Sequence, residues 1–449
     1  MIQKALQAPD WLTGGAVYQI NPRTFSPEGT LASVTKELPF LAGLGFGTIY
    51  LCPVFEADVS ENPDNWSIRQ KASGTGNPKN PYRMKNYFRI DEEYGSAEDL
   101  ADCVRECHRM GMKLLLDLVY LHIGPGADLL KLHPAFAKQN PDGSFINGYW
   151  NFPLLDFNHP GLREVLWSNM VYYIAVLDAD GFRCDVGDGV PLDFWVEGRR
   201  RITAVKPDAV LINEGSNAAS LLAGFNAVYG FSWHERLYDV MIGGKSAAEL
   251  RKDWERTHAL FPEGSLILRD MDNHDTVTDW PGRVETLAGH DGMDLILALN
   301  HTIDGIPMVY CGNELADTET LNMFANRFHP GRFGATRRDE KAKNRPEASR
   351  RRDLIAKLNA LRKEDIRFRK GETVWLEHDR PDAVIAFSRA YGGKKLWFLA
   401  NTGREGVTVT LNGRIPAEAE RTILSGAEAA DEVTLNLAPR GFALMREPV

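Results

Sequence analysis

The sequence predicts an α/β protein whose larger part is a closed (β/α)8 barrel of parallel strands. Three observations support this prediction. Over residues 16 to about 312, short apolar runs alternate with amphipathic helical stretches. The apolar runs number eight, and they are apolar almost without interruption, as expected of strands that are buried on both faces. Eight such units fit a closed barrel better than an open, doubly wound sheet.

Each strand is predicted from an apolar run bounded by polar or turn-forming residues. The helical stretch over residues 96–111 opens with Ser96 and Glu98, which favour a helix N-terminus, and stops at Gly111. In chain order the strand runs are AVYQI from Ala16, GTIYLCPV from Gly47, KLLLDLVY from Lys113, GFRCDV from Gly181, AVLINE from Ala209, AVYGFSW from Ala227, SLILRDM from Ser265 and IPMVYCG from Ile306.

Three connections that follow strand C-termini are too long to be plain turns. They are residues 55–86, 121–158 and 313–345. In a (β/α) barrel the loops on this face build the active site, so we expect these three connections to wall a substrate cleft. Residues 121–158, after the third strand, would form a short inserted domain B.

The hydrophobic period changes to two from about Ile366 onwards. The runs TVWLEH, AVIAFSRA, KLWFLANT, GVTVTL and EVTLNL are separated by turn residues such as Asn412 and Gly413. We therefore expect a catalytic barrel over residues 1–365 and a small antiparallel β domain, a β-sandwich, over residues 366–449. The helical residues 348–364 would be the eighth barrel helix.

Composition bounds the partners and the compartment. The chain has 449 residues, of which 43% are hydrophobic and 25% charged, and a net charge of −9. This charge disfavours binding to nucleic acid or to an anionic membrane, and no run has the length of a membrane span. The first residues lack a signal-peptide pattern, which favours a cytoplasmic protein, although a trimmed secreted chain would look the same. Five cysteines, an odd number, fit a reducing compartment.

Polar side chains end or follow several of these strands, where an apolar strand needs none. A single Asp at a strand end is more often a turn residue or helix cap than a catalyst. Together, however, these groups converge on one face of the barrel, where burying them is costly without a catalytic or binding role. They are Asp117, His122, Arg183, Asp185, Glu214, His274 and Asp275.

The motifs around these residues resemble those of the α-amylase family of glycoside hydrolases, in the family's order and over almost the whole chain. The family pattern Asp-x-Val-x-Asn-His corresponds to residues 117–122, Gly-Phe-Arg-x-Asp to residues 181–185, a strand-end Glu to Glu214 in LINEG, and Asn-His-Asp to residues 273–275. Further likenesses are VYQINPRTF from Val17, PYRMKNYFRIDEEYG from Pro81, LLDFNHPGLR from Leu154 and GIPMVYCGNE from Gly305.

The resemblance implies a retaining glycosidase, in which two carboxyl groups about 5 to 5.5 Å apart act as nucleophile and general acid/base. It assigns these roles to Asp185 and Glu214, and it gives Asp275 the task of binding sugar hydroxyls and stabilising the transition state. Arg183 lies two residues before Asp185 on the same strand face, so we expect its guanidinium to hold that carboxylate ionised. Glu214 must start protonated and therefore needs a raised pKa.

The other matched positions are expected to bind substrate or to orient the site. By the resemblance, His122 and His274 hold sugar hydroxyls, and Tyr82 stacks beneath the sugar ring. Asp117 is expected to orient Arg183 rather than to touch the reacting bond.

Three departures from the family pattern bear on cofactor and specificity. Leu121 replaces the Asn that ligates a structural Ca²⁺, and because leucine offers no oxygen we expect no cofactor and no metal there. Residues 186–189 read Val-Gly-Asp-Gly, whereas endo-acting amylases end this stretch with Lys-His and neopullulanase-like enzymes with Asn-Glu. Neither specificity can be transferred. Asn213 stands where Gly is usual, without an evident meaning in the sequence.

Three other patterns favour structural interpretations. Cys103 and Cys107, next to His108, share an apolar helix face, so a buried face is favoured over a metal site. The glycines between residues 43 and 47 precede a strand and indicate a turn rather than a phosphate-binding loop. Residues 327–352 hold ten basic against three acidic residues, which favours a solvated loop and helix start over contact with an anionic substrate or partner.

The resulting expectation is an enzyme that hydrolyses α-glucosidic bonds in maltodextrin-like oligosaccharides. A transglycosylase, isomerase or phosphorylase could use the same covalent intermediate. A non-catalytic sugar-binding relative is disfavoured because all three carboxylates are kept. Linkage, exo or endo action, chain length and oligomeric state are not indicated by the sequence.

Overall fold

The computed structural model describes residues 3–325 and 343–448. Its strands are β1 (Val17–Ile20), β2 (Thr48–Leu51), β3 (Phe55–Val59), β4 (Lys79–Ile90), β5 (Lys113–Leu118), β6 (Gly181–Cys184), β7 (Val210–Asn213), β8 (Ala227–Tyr229), β9 (Ile267–Arg269), β10 (Ile306–Tyr310), β11 (Glu372–Trp375), β12 (Val384–Tyr391), β13 (Lys394–Asn401), β14 (Val407–Thr410), β15 (Glu420–Ala429) and β16 (Thr434–Arg446).

The helices of the described residues lie mainly between the barrel strands. They are α1 (Asp10–Thr13), α2 (Pro22–Phe25), α3 (Leu31–Gly43), α4 (Ile68–Ala72), α5 (Ala97–Arg109), α6 (Asp128–Leu132), α7 (Pro160–Ala175), α8 (Leu192–Val205), α9 (Phe231–Met241), α10 (Ala248–Leu260), α11 (Thr276–Asp279), α12 (Val284–Ala288), α13 (His290–Thr302), α14 (Pro346–Glu364) and α15 (Ile366–Lys370). None of them is both long and apolar enough to cross a bilayer.

Eight parallel strands close into a barrel in the order β1-β10-β9-β8-β7-β6-β5-β2. Each of the eight strands lies within a run that the sequence predicts as a strand. The predicted fold class is confirmed. The sixth run was predicted too long, since β8 ends at Tyr229 and α9 begins at Phe231. An apolar run cannot by itself distinguish a buried strand from the first turn of a buried helix, which explains this error.

The long connections contain structure of their own. Residues 55–86 begin and end in an antiparallel ribbon of β3 and β4, with α4 between the two strands. Residues 121–158 contain α6 and short antiparallel bridges such as Gln139 with Phe145 and Asn147 with Pro153. Of the third connection, the part beyond Ala325 up to residue 342 lies outside the described residues, as does most of the basic segment 327–352. Its described end is not solvated throughout, because Arg351 is buried and ion-pairs with Glu285 at 2.6 Å.

The C-terminal part is a six-stranded antiparallel sheet in the order β11-β12-β13-β16-β14, with β15 also paired to β16. The first half of β16 pairs with β14 and the second half with β13, so the sheet bends around its own apolar core. Strand β15 was not predicted, because its apolar residues are interrupted by Gly426 and by charged residues. Helix α13 packs against β10 of the barrel and against β13 and β16, and joins the two parts.

Two structural interpretations of the sequence are confirmed. Leu100, Cys103, Val104 and Cys107 are all fully buried on one face of α5. The glycine-rich residues 43–47 form the turn between α3 and β2, in which Gly45 has a φ of 82°.

Candidate active site

The site is built at the carboxyl ends of the barrel strands. Arg183 lies in β6, Asp185 follows that strand directly, and Glu214 follows β7. Asp275 follows β9 in an Asn-His-Asp turn whose Asn273 side chain accepts two backbone N–H bonds. Because the strands are parallel, their carboxyl ends meet at one face of the barrel. The cavity at this face has a volume of about 440 Å³ and is lined by Ser67, Arg69, Asn80, Tyr82, His122, Trp150, Phe152, Asp185, Val186, Glu214, His274, Asp275, Met323 and Phe324.

Arg183 is the centre of the buried charge network. Its Nη1 lies 2.7 Å from Asp117 Oδ1 and 2.8 Å from Asp185 Oδ1, and its Nη2 lies 2.5 Å from Glu214 Oε1. The guanidinium is 1% exposed, so one buried cation faces three carboxyl groups. Asp117 also accepts a hydrogen bond from Tyr50 Oη at 2.6 Å, which turns it towards the arginine and away from the cavity.

The two carboxyl groups beside Arg183 both have raised pKa values. Burial raises the pKa of Glu214 to about 7, against the opposing charge of Arg183 and with a further increase from Asp275. Burial also raises the pKa of Asp185, and the guanidinium lowers it by less. Burial therefore outweighs the guanidinium at Asp185, against the expectation that Arg183 holds this carboxylate ionised. The raised pKa of Glu214 agrees with the protonated form that a general acid needs.

The pKa of Asp275 is shifted in the opposite direction, below its usual value. Burial disfavours its ionised form, but His274, Arg69 and Arg183 outweigh burial and hold its pKa at about 2. Arg69 Nη2 lies 2.7 Å from Asp275 Oδ1. The site thus combines a carboxylate held ionised, Asp275, with Glu214, whose raised pKa suits a proton donor.

The predicted sugar-binding side chains meet at the wall of the same pocket. Tyr82 Oη lies 2.6 Å from His274 Nε2 and donates to Asp117 Oδ2 at 3.1 Å. The Tyr82 and His274 rings stack with centroids 5.5 Å apart. Gln19 Nε2, which can only donate, lies 2.9 Å from His274 Nδ1, so Nε2 of that imidazole carries the proton. Burial lowers the pKa of His274, and it lowers the pKa of His122 to about 4.

Residue 186, the position after Asp185, has a strained backbone. Val186 has φ 43° and ψ 46°, a left-handed conformation that is rare for a β-branched residue. In this conformation its backbone N–H donates to Glu214 Oε2 at 2.7 Å. The strain therefore places a fixed donor on the carboxyl group that must act as acid and base.

Comparison with known proteins agrees with this geometry. The family model described as the α-amylase catalytic domain matches residues 13–145. The chain is 25% identical to a cyclomaltodextrinase of Geobacillus thermopakistaniensis over 98% of this chain and 78% of the relative. It is 24% identical to the intracellular maltogenic amylase of Bacillus subtilis over 88% of this chain and 70% of that one. This chain is similar to the α-amylase family, through the matched model over residues 13–145 and through these relatives over most of its length.

A solved structure has a fold similar to that of this chain. The noncanonic maltogenic α-amylase of Thermotoga neapolitana superposes with a TM-score of 0.80 and 23% identity, over 98% of this chain and 99% of the other. The likeness extends over both the barrel and the C-terminal sheet.

In this chain, an apolar side chain lies at the position where the family's Asn would ligate calcium. The Leu121 side chain packs against the main core, and its Cδ1 lies 3.0 Å from where a Cβ at Gly189 would be. Within residues 3–325 and 343–448, no group of three or more His, Cys, Asp or Glu side chains is placed to hold a metal ion. The residues at this position do not fit a calcium ion, since they offer it no side-chain oxygen.

The departure at Asn213 has a structural explanation. Its Nδ2 donates to Asp188 Oδ1 at 2.7 Å, and Asp188 Oδ2 accepts the backbone N–H of Ser216 at 2.8 Å. These bonds join the loop after Asp185 to the loop after Glu214. Asp188, at one of the positions where the family varies with specificity, is therefore directed at protein backbone rather than at the cavity.

Sequence reasoning missed several residues that line the pocket, above all Arg69. It lies in the long connection that was expected to wall the cleft, but no motif marks it. Trp150 and Phe152 were missed for the same reason, although two aromatic residues in a long loop at the catalytic face are a weak signal of sugar binding.

Proposed function

We propose that this protein is a retaining α-glycoside hydrolase that cleaves α-glucosidic bonds in maltodextrin-like oligosaccharides. One observation carries the proposal: Asp185 and Glu214 share the guanidinium of Arg183, with the ionised Asp275 in the same pocket. The names of the relatives, cyclomaltodextrinase and maltogenic amylase, support an α-glucan substrate.

In the first half of the reaction, an Asp185 oxygen attacks the anomeric carbon from the face opposite the glycosidic oxygen. Glu214 donates its proton to that oxygen, the bond to the leaving sugar breaks, and a glycosyl ester forms on Asp185. Asp275 stabilises the positive charge that develops on the sugar ring. Once the ester has formed, Glu214 is ionised and can act as a base.

In the second half, water enters where the leaving sugar was. Glu214 takes a proton from this water, the oxygen attacks the anomeric carbon, and the ester bond to Asp185 breaks. Two inversions give net retention, and the enzyme returns to its starting protonation state. A sugar hydroxyl in place of water would give transglycosylation with the same residues.

The catalytic role belongs, in this proposal, to residues 1–365, because every side chain named in the two steps lies there. We also propose that the enzyme acts in the cytoplasm. The name of the Bacillus subtilis relative, an intracellular maltogenic amylase, supports this assignment, as do five buried free cysteines.

Product analysis tests the proposal. The protein is incubated with a panel of α-linked glucosides, with and without added acceptor sugars, and proton NMR follows fresh mixtures before mutarotation. We expect α-anomeric products from maltodextrins in both cases. A β-anomer as first product would exclude the double displacement, and transfer to added sugar in excess of hydrolysis would favour a transglycosylase.

A further inference from the structure

Arg69 crosses the cleft next to the catalytic carboxylates. It lies on α4, in the connection that follows β2, and its side chain is 27% exposed. Its guanidinium ion-pairs with Asp275 at 2.7 Å and with Asp279 at 2.8 Å, in the turn and helix that follow β9. It also lies over the ring of Phe324, 5.8 Å from the centroid. One side chain thus joins three loops at one end of the pocket.

The chain around Arg69 is held on both sides. We call residues 60–78 the bridging segment. On one side, Asn77 Nδ2 donates to the backbone oxygen of Phe324 at 2.8 Å. On the other side, Asn151, in the connection after β5, donates to the backbone oxygen of Asp64 at 2.6 Å. Asn151 itself has a positive φ of 64°. Over the described residues, the bridging segment forms a continuous rim from the insertion to the loop after β10.

The chemistry of the site indicates at which end of the bound substrate this rim lies. Glu214 protonates the leaving oxygen, so the leaving part of the chain departs past Glu214. The sugar that becomes attached to Asp185 occupies the rest of the pocket, between Tyr82, His274 and Asp275. Arg69 contacts Asp275 and comes from the loop after β2, which is separated from β7 by β5 and β6 in the barrel. The rim therefore lies at the end that receives the non-reducing part of the substrate.

The guanidinium of Arg69 also stands in the path of a chain that extends past Asp275. A chain threaded through the site would have to continue past Arg69, and it would have to break two ion pairs of a half-buried guanidinium. A chain end needs no such passage.

We propose that Arg69, paired with Asp275 and Asp279, forms the closed end of the sugar pocket and makes the enzyme act on the non-reducing ends of α-glucan chains. This inference rests on the proposed function and names Arg69 as its specificity-determining residue. Terminal glucosyl or short oligosaccharide units would be released, and chains without a free non-reducing end would be poor substrates. These include cyclic maltodextrins, so on this point the inference departs from the substrate in the name of the Geobacillus relative.

The test uses two matched substrates. One is a nitrophenyl maltoheptaoside with a free non-reducing end, and the other is the same compound with an ethylidene acetal across the two terminal hydroxyls of its non-reducing glucose. Products are resolved by chromatography for the wild type, Arg69→Ala, Arg69→Lys and Arg200→Ala. Arg200 is the control, since it is an ion-paired arginine on the exposed surface of α8.

We expect the wild type to cleave the blocked substrate at least about 100-fold more slowly than the free one, because a closed pocket excludes the acetal. Arg69→Ala should lower overall activity, since it removes a partner of Asp275, but should raise the ratio of blocked to free rates by about tenfold or more. Arg69→Lys should give an intermediate ratio, and Arg200→Ala the wild-type ratio.

Three results would separate the inference from the proposed function. If the wild type cleaves both substrates at similar rates with α-anomeric products, the function stands and the closed end is wrong. If the ratio stays unchanged in Arg69→Ala while the wild type discriminates, the block lies elsewhere and the assignment to Arg69 is wrong. If the wild type cleaves neither substrate nor any other α-glucoside, both proposals are overturned.

Discussion

Asp185 and Glu214 bind different terminal nitrogens of the same guanidinium, that of Arg183, at 2.8 Å and 2.5 Å. The guanidinium is planar and rigid, so it fixes the two carboxyl groups at a short distance from each other. The two residues follow adjacent strands, β6 and β7, whose spacing repeats in every barrel of this kind. Two carboxyl groups that share one guanidinium are the arrangement that we expect of a retaining pair, whose carboxyl groups are about 5 to 5.5 Å apart.

The two carboxyl groups should fail differently when replaced. Asp185→Asn removes the group that forms the covalent bond, so natural oligosaccharides and α-glucosyl fluoride should both become inert. Glu214→Gln removes only the proton donor and later base, so attack on the fluoride should continue and a glycosyl-enzyme should accumulate. Intact-mass spectrometry should show the added sugar, and peptide mapping should place it on Asp185.

Azide provides the control for this experiment. It needs no base, so it should restore turnover of the Glu214→Gln variant and give an α-glycosyl azide. An adduct on another residue, or a Glu214→Gln enzyme that hydrolyses unactivated oligosaccharides at nearly the wild-type rate, would contradict the assigned roles.

The pKa of Glu214, about 7, predicts the alkaline limb of the activity profile. Only the protonated form can donate to the leaving oxygen, so kcat/KM for a natural oligosaccharide should fall as the pH rises through about 7, by about tenfold per unit thereafter. The first step with α-glucosyl fluoride needs no proton. The alkaline limb of the kcat/KM profile should therefore be absent or shifted for this substrate. Identical limbs for both substrates would assign the titration to another group.

Removal of calcium should leave the enzyme intact. Leu121 packs against the core where the family's Asn would ligate the ion, so we expect no calcium at this position for a chelator to remove. We expect the same Tm and the same activity with and without EDTA, measured by thermal unfolding and by maltodextrin hydrolysis. A Tm that drops with EDTA and returns with Ca²⁺ would reveal a site formed by other residues.

Asn213 should act on Glu214 through the loops that it joins. Asn213→Gly leaves Asp188 without one of its donors and loosens the loop that carries Glu214, so kcat/KM on natural oligosaccharides should fall by about tenfold. The loss on α-glucosyl fluoride should be smaller, because that substrate does not need the acid. Ser220→Ala is the matched control: it removes the 3.3 Å bond to the same amide and the 2.7 Å bond from Ser220 Oγ to the backbone oxygen of Asn217, but leaves the bond between Asn213 and Asp188 in place. Equal losses on both substrates would indicate a purely structural role.

The sequence was sufficient for the barrel because each strand is a compact apolar run that is followed by a polar residue at a fixed place. It failed where apolar character is shared by two kinds of element, as at Phe231, and where charge and Gly426 interrupt a paired strand, as in β15. These are properties of local pattern, and only tertiary pairing resolves them.

The motif residues of the site could be predicted from the sequence because they directly follow predicted strands. Arg69 was not, since its partners Asp275 and Asp279 are about two hundred positions away and no local pattern links them. The pKa of Asp185 was also misjudged, because adjacency to Arg183 is visible in the sequence whereas the extent of burial is not. Long-range ion pairs and desolvation are therefore the information that only the folded chain supplies.

A close contact between residues 187 and 213 limits which substitutions the site can accept. A Cβ at Gly187 would lie 2.2 Å from Asn213 Oδ1, so any larger residue at 187 collides with the amide. A side chain at residue 187 therefore requires Asn213 to move or to be replaced, and moving this amide would disturb its bond to Asp188. Libraries that vary position 187 alone should be depleted of active clones, and libraries that vary positions 187 and 213 together should recover them.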